Sequence, residues 1–181
     1  DAGSNYSLGD FIYTYSEEKH KGRFSQEIAE RRSFEIRSGP LAVEIINTRY
    51  ETQIGANVNT VIRFYTFEKN IDIELKFENA TGLMGDNYDR YKKNIFFAFP
   101  FSVPGHHFVT ELAGGVVDET TDRLPVNPHD FVLASSWVAA ENDSRGIALY
   151  SKDMPVFHLG GIHYNELSSK TDFSVSSNMF L

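Results

Sequence analysis

The sequence predicts an all-β fold, a large antiparallel β-sandwich with little helix. Three observations predict it. Short runs rich in β-branched and aromatic residues recur along almost the whole chain, separated by Gly, Pro, Asn and Asp. Two of these runs alternate polar and apolar residues with period two, the pattern of a sheet with one wet face. Aromatic residues make up 14% of the 181 residues, as 15 Phe, 9 Tyr and 1 Trp, and flat rings cover pleated faces well.

Taken in order, residues 11–15 alternate aromatic and smaller side chains and read as a strand. Residues 25–32 form the only helix-compatible stretch, with Ser25 as a cap and Ile28 and Ala29 facing in. That stretch supports a single turn at most and reads equally well as a strand end. Residues 34–37 and 41–50 flank the turn signal Ser38-Gly39-Pro40, and the β-branched Val43, Ile45 and Ile46 favour strand over helix. Residues 57–67 place Val58, Thr60, Ile62, Phe64 and Thr66 on one face. Residues 71–78 repeat the pattern, with Ile71, Ile73, Leu75 and Phe77 inward against Asp72, Glu74, Lys76 and Glu78. Glu68-Lys69-Asn70 between them reads as a tight hairpin turn.

Residues 79–91 are polar and glycine-containing and read as a loop, followed by a strand over 92–101. Residues 108–112 and 115–117 predict a hairpin, and 131–139, 146–151, 154–159 and 173–181 complete the set. The total is about ten strands, which suits a sandwich better than a small barrel. With no internal repeat, low-complexity run or linker, residues 1–181 read as a single β-sandwich domain. The chain ends on the apolar run Met179-Phe180-Leu181, and apolar surface prefers burial by about 25 cal/mol per Å². The expectation is an excised part of a longer chain.

Composition excludes several function classes. A formal net charge of −8 argues against nucleic acid as partner, because binding phosphates needs clustered Lys and Arg. The one basic cluster, Arg31-Arg32, lies beside Glu27, Glu30 and Glu35 and reads as a solvated, mutually paired surface. The absence of cysteine excludes disulfides, thiolate nucleophiles and zinc-thiolate sites. The longest apolar stretches, such as residues 95–101, fall far below the roughly 18 residues of a membrane span. The first residues lack a basic-then-apolar signal layout. The chain reads as soluble, with cytoplasmic, periplasmic and secreted locations all open.

From Ile62 onward a string of motifs follows a familiar order. The alternating strand pair comes first, then Lys93-Asn94-Ile95-Phe96-Phe97-Ala98-Phe99-Pro100-Phe101 and Val103-Pro104-Gly105. Gly114-Gly115-Val116-Val117 follows, then Ser136-Trp137-Val138, an acidic turn, Arg145-Gly146-Ile147-Ala148-Leu149 and Met154-Pro155-Val156. Over roughly residues 35–181 this series resembles the C-terminal region of family 38 glycoside hydrolases, the retaining α-mannosidases. The resemblance implies a β-sandwich related to the galactose-mutarotase superfamily, placed after a catalytic barrel. In that family the aspartate nucleophile and the zinc ligands lie mostly in the preceding barrel. Nothing here matches those motifs, so the resemblance carries over no catalytic residue and no metal ligand. It implies a site-completing or non-catalytic module whose partners are the catalytic domain of the same polypeptide and carbohydrate.

Candidate contact residues divide between a loop and a hairpin. Asp86-Asn87-Tyr88-Asp89-Arg90-Tyr91 gathers carboxylates, phenols and a guanidinium, groups that hydrogen-bond and stack on sugars, on a loop of the kind that often carries function. Asp86, Tyr88, Asp89 and Arg90 are the leading carbohydrate-contact candidates, with Trp137 second. An aromatic face can bind the C–H side of a pyranose, although the small residues around Trp137 favour a core position. Glu141-Asn142-Asp143-Ser144-Arg145-Gly146 holds two carboxylates, the groups glycoside hydrolysis uses in pairs, but its composition is that of a hairpin turn. His106 and His107 are adjacent and point oppositely on a strand, so they do not readily share a metal. His129, His158 and His163 are scattered and read as structural. No Ser-His-Asp order, phosphate loop or nucleotide motif is present.

The leading expectation is therefore an accessory β-sandwich of an α-mannosidase-like glycoside hydrolase. The rivals are a stand-alone mutarotase-like sugar epimerase, using a histidine acid and a carboxylate base, and a free carbohydrate-binding module.

Overall fold

The computed structural model describes residues 6–16, 24–51, 55–78, 94–122, 131–161 and 178–181. Those residues form fourteen strands and no helix, and every pairing is antiparallel. The class is all-β, with the strands in three antiparallel sheets consistent with a β-sandwich. The chain divides into two compact units, Gly9–Phe97 and Asp1–Leu8 with Ala98–Leu181.

The unit Gly9–Phe97 holds β1 (Phe11–Ser16), β2 (Phe24–Ile28), β3 (Glu30–Ser38), β4 (Ala42–Glu51), β5 (Ala56–Tyr65), β6 (Ile71–Glu78) and the start of β7 (Asn94–Pro100). β1 lies between β2 and β7, with Ile12 opposite both Ile28 and Phe96. Phe11, Ile12, Tyr13 and Thr14 are all buried, as expected of a central strand covered on both faces. The helix-compatible stretch from Ser25 is instead strand. Its backbone pairs with β1, and the Ala29 N–H donates to the Phe11 carbonyl at 2.9 Å. Ladder pairing outweighs the weak helical pattern of so short a segment.

β3 to β6 form a meander in chain order. The registers Phe34↔Asn47, Ile36↔Ile45, Val43↔Phe64, Ile45↔Ile62, Ile62↔Ile73 and Val58↔Phe77 put the apolar residues of four strands on one face. The opposite face is charged. Arg63 donates to Glu44 at 2.6 Å and to Glu74 at 3.3 Å, and Arg37 forks onto Glu35 at 2.8 and 3.1 Å. The alternation read from residues 57–67 and 71–78 is this two-faced sheet. The link between β5 and β6 runs over residues 66–70, longer than a tight turn. A bulge between Arg31 and Ser33 shifts the β3–β4 register. There Arg32 stands over the Tyr50 ring at 4.8 Å and within 4.0 Å of Glu30, matching the solvated, paired cluster expected of the sequence.

On the apolar face the central strands are covered: Val58, Thr60 and Ile62 of β5 and Asn47 and Arg49 of β4 are buried. Gly9 takes φ +73°, and a Cβ there would meet the Thr60 methyl at 2.9 Å, so only glycine allows this approach. Asp10 then pairs with Arg49, both buried. Arg49 also donates to the Ala29 carbonyl at 3.2 Å, and Asn47 turns its amide oxygen to the guanidinium while donating to the Ser33 carbonyl at 3.1 Å. Buried charge is tolerated because it is paired and hydrogen-bonded.

The second unit takes the end of β7, β8 (His107–Leu112), β9 (Gly115–Asp118), β10 (Phe131–Leu133), β11 (Trp137–Glu141), β12 (Gly146–Tyr150), β13 (Val156–Leu159) and β14 (Asn178–Phe180). β14 lies between β7 and β13, and β13 pairs with β10. Phe99, Phe157, Leu159, Met179 and Phe180 are buried, and His158 sits among them, edge-on to Phe131 at 4.6 Å and Phe180 at 5.9 Å. Residues 131–139, expected as one strand, are two. The Ala134 N–H donates to Pro155 and the Ser135 N–H to Glu111, so the chain changes partner between β10 and β11.

Candidate docking and ligand-contact faces

Sheet β12-β11-β8-β9 carries the only tryptophan. Period two sorts its residues. Phe108, Thr110, Val138 and Ala140 point to one side and are fully buried. Trp137, Ala139 and Glu141 point to the other, opposite Tyr150, Ala148 and Gly146 of β12 and flanked by Val109 and His107 of β8. Trp137 is half-buried on this outward face, so the core position its small neighbours favour is corrected. Those neighbours, Val138 and Ala140, are the core residues.

Trp137 and Tyr150 are direct cross-strand partners, with ring centroids 6.4 Å apart and planes inclined by 48°. Tyr150 is 69% exposed, on an edge strand. Beside the rings Ala148 and Gly146 are exposed, and Ala139 and Val109 form a buried base. These small side chains form a row along the strands. At its far end His107 Nε2 lies 3.7 Å from Glu141 Oε1 and 3.8 Å from Asp118 Oδ2. At the near end the Ser136 hydroxyl donates to the Glu111 carboxylate.

The hairpin is held by its turn. Asn142 Oδ1 accepts from the Ser144 and Arg145 N–H groups at 2.9 and 3.0 Å, and the Asn142 amide donates to the Pro104 carbonyl at 2.7 Å. A Cβ on Gly146 would lie 2.7 Å from Glu141 Cβ. Residues 142–145 are thus a hairpin turn, as the composition of 141–146 indicated, while Glu141 ends β11 and lies on the same face as Trp137. The two neighbouring histidines diverge as strand geometry requires. His106 binds the Val103 carbonyl at 3.0 Å and packs edge-on to Phe108, while His107 faces the carboxylates. Among the described residues no group of three or more His, Asp or Glu side chains is arranged to hold a metal. Among the described residues no helix is long and apolar enough to cross a membrane.

The apolar face of β3 to β6 is the second feature. On its edge strands β3 and β6, Phe34 is 51% exposed, Ile36 57%, Ile71 41% and Phe77 44%. Ile71 and Phe77 share a face as the sequence indicated, but that face is open rather than fully inward. Contiguous exposed apolar surface on a sheet marks an interaction site more often than scattered single residues do.

Of the residues singled out in the sequence, Asp86, Tyr88, Asp89 and Arg90 lie outside the described residues, as do His129 and His163. Trp137 is placed, and the structure brings Tyr150 to it, with His107 and Glu141 at the other end of the same row. The missed signal for Tyr150 was the hairpin itself, since a turn over 142–145 makes Trp137 and Tyr150 cross-strand partners. Comparison with protein-family models and with curated proteins found no match to the chain.

Proposed function

We propose that this chain is an accessory β-sandwich of an α-mannosidase-like glycoside hydrolase, packing on the catalytic domain of the same polypeptide. The observation that carries this reading is the half-open apolar face of β3 to β6, where Phe34, Ile36, Phe64, Ile71 and Phe77 each stay at least 36% exposed. Completing their burial is worth on the order of 1 kcal/mol per side chain, about half the value of a full transfer from water. A free domain gains nothing from leaving such a face open. The identity of the catalytic partner rests on the motif series from Ile62 to Val156 and its resemblance to family 38.

The test is turnover. The isolated chain is incubated with p-nitrophenyl α-mannoside, and separately with freshly dissolved α-mannose followed by polarimetry. The expected result is no nitrophenol release and no acceleration of anomerisation. Hydrolysis by the isolated chain would overturn the accessory role. Accelerated anomerisation abolished by His107→Ala would establish the epimerase reading instead, since His107 with Glu141 is the nearest approach to an acid–base pair on this sheet.

A further inference from the structure

We infer that the outer edge of β12 is a self-association site, where two copies of this chain pair β12 to β12 antiparallel about a two-fold axis at Ala148. β12 ends the sheet β12-β11-β8-β9, and two hydrogen bonds of its hairpin fix which way its backbone groups point. The Asn142 N–H donates to the Arg145 carbonyl at 2.9 Å, and the Ser151 N–H to the Ser136 carbonyl at 3.0 Å. Bonded pairs alternate along an antiparallel ladder, so Ile147 and Leu149 turn their groups to β11 as well. Gly146, Ala148 and Tyr150 then turn their N–H and C=O groups away from β11, and among the described residues no strand takes them up. All three residues are exposed.

An open row of this kind templates another strand unless charge, a bulge or shortness guards the edge. Edge strands β3, β6, β9 and β10 are guarded. β3 carries the bulge between Arg31 and Ser33, and β6 has a charged residue at every second position. β9 is four residues long and ends on Asp118, and β10 has three residues. β12, Gly146-Ile147-Ala148-Leu149-Tyr150, has no charge, no proline and no bulge.

The symmetry of the row selects the occupant. Its outward residues are centred on Ala148, so a second copy sets Ala148 against its own counterpart and Tyr150 opposite the partner's Gly146. Each such pair exchanges both N–H···O bonds. The Tyr150 ring, 69% exposed in one copy, covers the bare backbone of the partner's Gly146, a match that any shifted register loses. An unrelated extended segment has no reason to supply that match. Charge also permits the pairing here. The chain as a whole carries −8 and repels its copy, but residues 142–153 hold Asp143, Arg145, Lys152 and Asp153 and are neutral together. Antiparallel pairing brings the Arg145 end of each strand to the partner's Asp153 end. β3 to β6 take no part, so this association is independent of the accessory role.

The test is a charge swap at the axis. Sedimentation velocity on the 181-residue chain, from about 5 to about 500 μM, should show a monomer–dimer equilibrium. One strand edge is a small interface, so the expected dissociation constant is on the order of 10–100 μM. Ala148→Lys and Ala148→Glu each set like charges directly opposite across the axis and should weaken the dimer about tenfold. Far-ultraviolet dichroism should not change, because the Ala148 side chain is exposed. An equal mixture of the two variants should associate at least as well as the unaltered chain, because a cation then faces an anion. An unaltered chain that stays monomeric across the whole range overturns the second copy as occupant. A dimer that survives both single variants is built elsewhere and overturns the site. A mixture no better associated than either variant alone overturns the two-fold pairing. Each of these outcomes leaves the accessory role standing, and turnover by the isolated chain defeats that role without touching this association.

Discussion

Replacing Arg49 by methionine leaves the Asp10 carboxylate buried without its cation. Asp10 is 4% exposed and Arg49 5%, and burial pushes the guanidinium below its ordinary range while Asp10 opposes that shift. Breaking a buried pair by removing one partner costs about 3–5 kcal/mol, mostly as the penalty of the stranded charge. A chain of this size loses about 2–4 °C of melting temperature per kcal/mol, so R49M should melt about 6 to 20 °C lower. The lost bond to the Ala29 carbonyl adds to the cost on the same side. Asp10→Asn should destabilise for the mirror-image reason. The double variant should recover at least half of the summed loss, because no unpaired charge remains. Urea unfolding of the four proteins measures this, with midpoints moving at unchanged slope. A loss below about 1 kcal/mol in either single variant, or full additivity in the double, would refute the claim that the two buried charges depend on each other.

Two further outcomes follow from the same structure. The Thr110 hydroxyl is buried with no hydrogen-bond partner among the described residues, so Thr110→Val should leave stability unchanged or raise it by up to about 1 kcal/mol in the same assay. A clear loss would reveal a partner for that hydroxyl. The fork from Arg37 holds the exposed Glu35 carboxyl below its ordinary range. Its contribution to stability is therefore present above the unfolded carboxylate value and is lost as pH falls through the folded one. An NMR titration should give Glu35 a lower midpoint than in Arg37→Gln, and the gap should shrink in high salt.

Much of this fold was legible because water reads sequence alternation. β6 coincides with the run 71–78 since one face of it is charged throughout, and β5 follows less sharply, with Asn57, Asn59 and Arg63 on its wet face. β1 and β7 have no such wet face, and only their aromatic and β-branched content gave them away. The change of partner between β10 and β11 was not legible, because it depends on Pro155 and Glu111, distant in sequence, accepting the Ala134 and Ser135 N–H groups. The same gap hid the candidate site. Trp137 looked like core because its neighbours are small, and only the register shows that Val138 and Ala140 take the buried side while Trp137 meets Tyr150 outside. Composition also could not separate His158, enclosed by rings, from His107, set between carboxylates.

The central question is whether the open face of β3 to β6 is covered in the longer polypeptide proposed above. Carbene footprinting read by mass spectrometry, on the 181-residue chain alone and on that chain joined to the proposed catalytic domain, compares labelling at Phe34, Ile36, Phe64, Ile71 and Phe77. The expected result is a several-fold drop at these residues in the joined polypeptide, with Tyr150 labelled equally in both. Equal labelling of all five in the two samples would show the face open in the joined polypeptide and contradict the docking role.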